Sequence, residues 1–150
     1  MAEYTIREVL TRRDLKRFIR FPVTLYKGCS QYVPPLYKGQ EHELMHSAPL
    51  QYCKRKMWLV EDAAGKVAGR ICAVINPRYN EKYGTRRVRF GWFDLINDSE
   101  VARLLFATAE KWAKEVENRS KAGKKGMEKR WGKKSITEDN SVISDITKIT

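Results

Sequence analysis

The pattern of hydrophobic and polar positions changes abruptly between residues 96 and 101. Residues 88–96 contain a dense run of aromatic and aliphatic side chains, which predicts a strand that is buried on both faces. Beyond it, Val101, Leu105, Trp112 and Val116 recur at helical spacing. Asn97 precedes Glu100 by three positions, the spacing of a helix N-cap and its capping-box partner. The sequence therefore predicts a strand that leads directly into a long helix.

Such a junction can serve packing or binding. Free backbone N–H groups and the dipole at the start of a helix attract anions, so this turn is a candidate phosphate site. Strand–helix units that only pack are much more common in α/β proteins. The local pattern alone therefore favours a packing role.

The N-terminal third of the chain predicts one strand and two helices. Residues 4–10 alternate as a strand does, and Thr11 or Asp14 is expected to cap the helix that follows. Pro22 interrupts the apolar face of that helix, which predicts a break or a kink near Phe21. After a loop rich in proline and tyrosine, residues 39–48 predict a short second helix.

The middle of the chain predicts a hairpin. Strands over residues 57–61 and 67–75 flank a turn at 62–65, and a polar connection over 78–85 leads to the strand of the opening. The element order β-α-α-β-β-β-α favours an α+β domain with a mixed sheet over residues 1–118. Trp92 and Trp112 fall among core-facing neighbours and are expected to be buried.

Charge separates the C-terminal segment from this domain. The net charge is +12, and residues 119–134 contain eight Lys/Arg and one Asp/Glu. Residues 119–150 show no helical or strand period and are expected to form a largely disordered basic tail, or to add residues 142–149 as a strand to an open sheet edge. The tail is also a candidate site for non-specific nucleic-acid binding, through Lys124, Lys125, Lys129, Arg130, Trp131, Lys133 and Lys134. A plain solvated tail is the more common situation.

Other classes of protein are disfavoured. The sequence contains no stretch of about 18 apolar residues and begins with a charged segment, so neither a membrane span nor a signal peptide is expected, and a cytoplasmic location follows. Cys29, Cys53 and Cys72 have no metal-site spacing. His42 and His46 are four residues apart, but no third ligand accompanies them, so no metal site is predicted.

Four segments carry a resemblance to a known family. They read IREVLTRRDLKRFIRFPVTLYKG, QYVPPL, KVAGRICAVINPRYNE and RFGWFDLINDSEVARLLFATAEKWAKE, and they lie within residues 5–117. Together with the element order, they resemble the first half of a bacterial branch of the GNAT-like N-acetyltransferases. The resemblance implies that acetyl-CoA lies in a cleft beside the last strand and is attacked by an amine acceptor, which the sequence does not identify. It implies that Phe93 and Leu95 offer backbone groups to the pantetheine arm and that Asn97, Asp98 and Ser99 form the turn near the pyrophosphate.

The chain departs from the family at two places. INDSEV replaces the usual glycine-rich turn, so that Asp98 and Glu100 stand where the pyrophosphate would lie. The resemblance stops at residue 117, before the strand that would complete the cleft and before the family's catalytic tyrosine, so no catalytic residue is assigned. The tail instead resembles low-complexity linkers of phage and bacterial replication proteins. The sequence thus predicts a truncated GNAT-like domain without acetyltransferase activity of its own, and a nucleic-acid-binding accessory protein is the alternative.

Overall fold

A computed structural model describes residues 2–131 of the chain. The described chain divides into two units, with the boundary between Ala113 and Lys114. The elements are β1 (Thr5–Glu8), α1 (Arg12–Leu25), α2 (Tyr37–His46), a 3-10 turn (Ala48–Gln51), β2 (Lys54–Glu61), β3 (Val67–Ile75), α3 (Pro77–Tyr83), β4 (Arg89–Leu95) and α4 (Ser99–Trp131). The predicted α+β class and the order of the main elements are confirmed. The suggested strand at 142–149 lies outside the described residues.

The four strands form one sheet in the order β1-β2-β3-β4. Each neighbouring pair is antiparallel, so the expected mixed sheet is wrong for the described part of the chain. The β2–β3 turn forms as predicted, because the Asp62 carboxylate accepts hydrogen bonds from the backbone N–H groups of Ala64 and Lys66. Gly65 completes it with a φ of 77°, which glycine adopts without steric cost.

Helix α1 begins where the sequence predicted but does not break at Pro22. The Thr11 hydroxyl accepts the backbone N–H of Asp14 at 3.1 Å. The helix continues through Pro22 to Leu25, so of the two predicted outcomes, a break or a kink, the break is wrong. Proline has no N–H for the carbonyl four residues earlier, which is that of Phe18. Arg70 on β3 donates to this carbonyl at 2.9 Å and so supplies the missing hydrogen bond from outside the helix.

Helix α3 occupies residues for which a polar connection was expected. The Asn76 side chain caps it by accepting the backbone N–H of Tyr79, and Pro77 takes the first helical position, where proline is favoured. Gly84 ends the helix in the left-handed conformation with a φ of 60°. The Asn-Pro pair therefore ends a strand, as predicted, but also begins a helix.

The sheet is covered on both faces. On one face, α1 and α2 pack on β2 and β3 through a cluster made of Leu15, Phe18, Ile19, Leu44, Met57, Leu59 and Cys72. On the other face lies the first part of α4, with Val101, Leu105, Ala109 and Trp112 buried. The Trp112 ring meets the Trp58 ring of β2 edge to face, with centroids 5.8 Å apart. The predicted burial of Trp112 is confirmed.

Helix α4 lies close to β3 because residue 69 is glycine. A Cβ atom at Gly69 would lie 2.7 Å from Val101 Cγ1 and 3.1 Å from Leu105 Cδ1. Both contacts are with buried side chains that have little room to move. Gly69 therefore sets the distance between the helix and the sheet.

Within the second unit, α4 continues to Trp131. The expected loss of regular structure after residue 118 is therefore wrong for residues 119–131, while residues 132–150 lie outside the described part. Lys, Glu, Ala and Met are good helix formers even where no apolar period exists, and the ion pair between Lys121 and Glu117 at 2.9 Å joins neighbouring turns. Every side chain from residue 118 to 130 is exposed. The sequence has no apolar period there because this part of the helix buries no face.

Gly69→Ala should lower the free energy of unfolding by about 1–3 kcal/mol, the usual cost of overpacking a core. The matched control is Gly91→Ala on the neighbouring strand, where an added Cβ meets no atom of the described chain within 4 Å. Urea unfolding of both variants measures the difference. Equal stability of the two variants would show that α4 does not lie as close to β3 as the structure indicates.

Candidate functional site

Strand β4 contains a β-bulge. Cys72 pairs with Gly91 and Arg70 with Asp94, so that Trp92 and Phe93 together stand opposite Ile71 alone. Trp92 has a φ of 51° and is the one non-glycine residue with positive φ in the described chain. Bulges bend a strand and re-aim its side chains, and they are frequent next to active sites. The prediction that Trp92 lies in the core is wrong, because the bulge leaves it half-buried at the margin of the core cluster.

The bulge places three phenylalanine rings together on the side of the sheet covered by α4. Phe93 lies 5.7 Å from Phe90 and 4.8 Å from Phe106, measured between ring centroids. Phe90 is 55% exposed and Phe106 is 36% exposed. The expectation of a strand buried on both faces is therefore wrong, and β4 instead presents an aromatic surface.

One edge of β4 is open in the described structure, because β3 is its one partner strand there. The backbone N–H of Ile96 donates to Ala68 of β3 at 2.9 Å. Backbone groups of an antiparallel strand point alternately to either side, so those of Leu95 point away from β3, toward the open edge. Phe93 lies within the bulge, where this alternation is interrupted. Of the two residues predicted to offer backbone groups to a cofactor, Leu95 is placed at the open edge by the hydrogen-bond ladder.

On the opposite side of the sheet, Arg70 and Asp94 form a largely buried ion pair. The guanidinium donates to one oxygen of Asp94 from Nε at 2.9 Å and from Nη2 at 2.8 Å, and Arg70 is only 6% exposed. The Tyr26 hydroxyl donates to the other oxygen of Asp94 at 2.7 Å. The Arg70 guanidinium also lies over the rings of Phe18 and Trp92, at 5.0 and 5.4 Å from their centroids. These contacts join α1, β3 and the bulge of β4.

A cavity of about 360 Å³ opens beside this ion pair. Tyr26, Tyr32, Gln40, Trp92 and Asp94 contribute to its lining. The hydrogen bond to Asp94 raises the pKa of Tyr26, and burial raises the pKa of Tyr32. Gln40 Oε1 is buried without a hydrogen-bond partner in the described part of the chain. The cavity therefore offers phenol hydroxyls, a free amide oxygen and aromatic faces to a small polar ligand.

Asp98, rather than Asn97, caps helix α4. The backbone N–H of Glu100 donates to Asp98 Oδ1 at 2.9 Å, and the Tyr4 hydroxyl donates to Oδ2 at 2.7 Å. The hydrogen bond from Tyr4, and then that from Glu100, hold the pKa of Asp98 below its usual range. Asn97 and Ser99 are exposed on either side of the cap. The predicted Asn97 cap is wrong because a tight turn from Ile96 to Asp98 brings the helix start one residue later.

The Glu100 side chain forms an ion pair with Arg103 and does not reach back to the cap. This pair lowers the pKa of Glu100 and offsets one of the two negative charges at the start of α4. Sequence reasoning weighed Asp98 and Glu100 but missed Arg103. The spacing could have indicated this pair, because Glu100 and Arg103 are three positions apart in the predicted helix, where such side chains are neighbours.

The residues predicted for the cofactor lie close together in the chain and remain so in the fold, along the end of β4 and the start of α4. The residues that sequence reasoning missed are Tyr26, Tyr32, Gln40 and Arg70, which come from distant elements. Lys124, Lys125, Lys129 and Arg130 are exposed on α4, and Trp131 is its last residue. Lys133 and Lys134 lie outside the described residues.

The rings of His42 and His46 lie 5.3 Å apart on α2, but residues 2–131 contain no group of three metal-ligating side chains. None of the helices described is both long and apolar enough to cross a membrane.

The chain is similar in sequence to a bacterial protein. The chain is 36% identical over 110 residues to Protein YghO of Escherichia coli (strain K12), a match that covers 73% of this chain. The chain matches about 28% of the length of that relative, whose name states no activity. No protein-family model and no solved structure matches the chain.

Asp94→Asn should lower the free energy of unfolding by about 3–5 kcal/mol, because it leaves the buried Arg70 charge without its partner while keeping the side-chain shape. Glu100→Gln, which breaks an exposed pair with Arg103, is the control and should cost less than about 1 kcal/mol. Chemical unfolding at neutral pH measures both. Similar costs for the two variants would contradict the central place of the Arg70–Asp94 pair.

Proposed function

We propose that residues 5–117 are part of a GNAT-like N-acetyltransferase domain, with acetyl-CoA lying along the open edge of β4. The observation that carries the proposal is a bulged edge strand that leads into a helix start, with a lined cavity on one face. Such an edge offers unpaired backbone groups to an extended ligand. The element order and the resemblance within residues 5–117 supply the choice of family.

The open edge suits the pantetheine arm in two ways. The backbone groups of Leu95 point outward and can pair with amides of an extended chain. The neighbouring cluster of Phe90, Phe93 and Phe106 offers exposed apolar surface beside that edge. The backbone groups and two of the three rings come from one short strand, and Phe106 of α4 completes the cluster, so a single ligand can use both features together.

The start of α4 is less suited to a pyrophosphate. The helix dipole there favours an anion by about 0.3–1 kcal/mol. A like charge 4 Å away opposes it by about 4 kcal/mol at an effective dielectric constant near 20. Asp98 is a negative charge at this turn, and Arg103 offsets only Glu100. We therefore propose that this chain binds acetyl-CoA weakly.

We further propose that the chain alone does not transfer acetyl groups. In the family, a strand that completes the cleft and a catalytic tyrosine follow the long helix. In this chain, residues 119–131 continue α4 instead. The cavity beside Tyr26 and Asp94 lies next to the bulge and is the place we propose for the acceptor amine, whose identity stays open.

Asp98→Asn should tighten acetyl-CoA binding about tenfold, because asparagine keeps the cap but removes the opposing charge. Calorimetric titration measures the affinity, and Glu110→Gln on an exposed position of α4 is the control for the change in net charge. Equal tightening in both variants would mean that acetyl-CoA associates with the basic surface in general. Micromolar binding by the unaltered chain, or acetyl transfer to any amine, would contradict the proposed loss of function.

Nucleic-acid binding is a second candidate function, which is favoured by the exposed lysines on α4 in the second unit. Lys121, Lys125 and Lys129 follow each other at intervals of four, so they share one face of the exposed helix. Cations on one helix face can contact successive phosphates, and such contacts give affinity without sequence preference.

Replacing both Lys125 and Lys129 with glutamine should reduce the slope of log binding constant against log salt by about 1.8, since each phosphate contact contributes about 0.9. Fluorescence anisotropy with a labelled DNA duplex at several salt concentrations measures the slope. Lys16→Gln with Lys111→Gln removes the same charge from exposed positions of the first unit. The same slope in both double variants would show that net charge, and not this helix face, causes the binding.

A further inference from the structure

A second cavity lies away from β4 and α4. It has a volume of about 690 Å³, and its walls come from the segment between β1 and α1, from helix α2 and from the first half of β2. None of its lining residues belongs to the cofactor or acceptor site proposed above. Its size is within the range of small-molecule sites.

Arg55 on β2 is the unusual residue in this cavity. Its Nη1 atom is buried and has no hydrogen-bond partner among the described residues. Its Nη2 atom has only the sulfur of Met45, at 4.0 Å, which is a weak acceptor. Burial lowers the pKa of Arg55, yet a guanidinium stays charged in proteins. A buried donor without an acceptor is destabilising, so its presence points to an acceptor that arrives with a ligand.

The surroundings of Arg55 do not supply a counter-charge. Cys72 lies near the guanidinium, but burial raises the pKa of its thiol to about 11, so the thiol is neutral at physiological pH. Glu41 is the one acidic lining residue, and it already faces Arg12 at 3.5 Å. Lys38, His42 and His46 also line the cavity. Its charge is therefore positive and incompletely balanced.

The rest of the lining is apolar. Leu15 and Met57 are buried there as part of the core cluster, while Leu10 and Met45 are largely exposed at 79% and 47%. Exposed apolar side chains beside a cationic group suit a ligand with an apolar body and one charged end. Inorganic phosphate has no apolar body that could cover these side chains, so the lining favours the amphipathic ligand.

We propose that this cavity binds an organic carboxylate with an apolar body, whose carboxylate accepts a hydrogen bond from Arg55 Nη1 and whose body lies against Met45 and Leu10. The contact satisfies the unpaired guanidinium and covers the two exposed apolar side chains. The proposal does not depend on the acetyltransferase assignment, because it uses other residues and another part of the fold.

The test uses the full chain and decanoate as probe, with calorimetry for affinity and thermal unfolding for stability. Decanoate should bind and raise the unfolding temperature, while decanol and inorganic phosphate should each do so at least about tenfold less well at equal concentration. Arg55→Met should weaken decanoate binding about tenfold or more and should unfold at a higher temperature than the unaltered chain when no ligand is present. Arg13→Met, an exposed change outside the cavity, removes the same charge and should alter neither property.

A second pair of variants leaves Arg55 in place. Met45→Glu puts a repelling charge at the rim and should also weaken decanoate binding about tenfold, while Met127→Glu at an exposed position of α4 should not. The proposal is overturned if decanoate does not bind, if Arg55→Met and Arg13→Met bind it equally, or if Met45→Glu has no more effect than Met127→Glu. Equal binding of decanol would show an apolar pocket without a role for the guanidinium.

Discussion

The Arg70 guanidinium is the contact on which the arrangement of this domain depends. It donates to the Phe18 carbonyl that Pro22 leaves without a helical partner, and it donates to Asp94 beyond the bulge of β4. It thereby allows a proline on the buried face of α1 and ties that helix to the edge strand. Because Arg70 is 6% exposed, its charge needs both partners to be tolerated in the core. The position of the bulge, the cavity beside Tyr26 and the path of α1 are all linked through this side chain.

Local patterns in the sequence predicted much of the fold. Four predictions agree with the structure: the bounds of β3 at residues 67–75, the hairpin turn at 62–65, Thr11 as a cap of α1, and the burial of Trp112. Each was predicted from a pattern that extends over a few neighbouring residues of the sequence. The continuation of α1 past Pro22 was not predictable in this way. Its cause is a hydrogen bond between residues 52 positions apart.

The site was predicted less completely than the fold, for the same reason. Leu95 and Asp98 were named from one continuous segment, and they do lie at an open edge and a helix cap. The bulge was missed although Gly91 stands inside the strand pattern, where an isolated glycine suggests a bulge. The positive φ itself falls on Trp92, where a glycine would be expected. Arg70, Tyr26 and Gln40 are brought to Asp94 by tertiary structure alone. The helical residues 119–131 were missed because apolar periodicity reports packing, and this helix has a regular backbone without a buried face.

Two arginines in the same sheet illustrate opposite uses of a buried charge. Arg70 has partners for its guanidinium on two elements and serves the fold, whereas Arg55 has a buried nitrogen without a partner in residues 2–131, an arrangement expected to cost stability. A chain selected only for stability would be expected to replace the second arginine with an apolar side chain.

The open edge of β4 has a consequence for how copies of this chain behave in concentrated solution. A strand edge that has no partner among the described residues and lies next to the exposed ring of Phe90 is a template for sheet extension between molecules. Arg89 begins this strand with an exposed charge, so two such edges that meet parallel and in register bring like charges together. That repulsion acts as a gatekeeper against self-assembly, and it weakens as ionic strength rises. Pairing of two β4 edges in that arrangement is therefore coupled to salt, even though the fold beneath is held by buried contacts that salt scarcely screens.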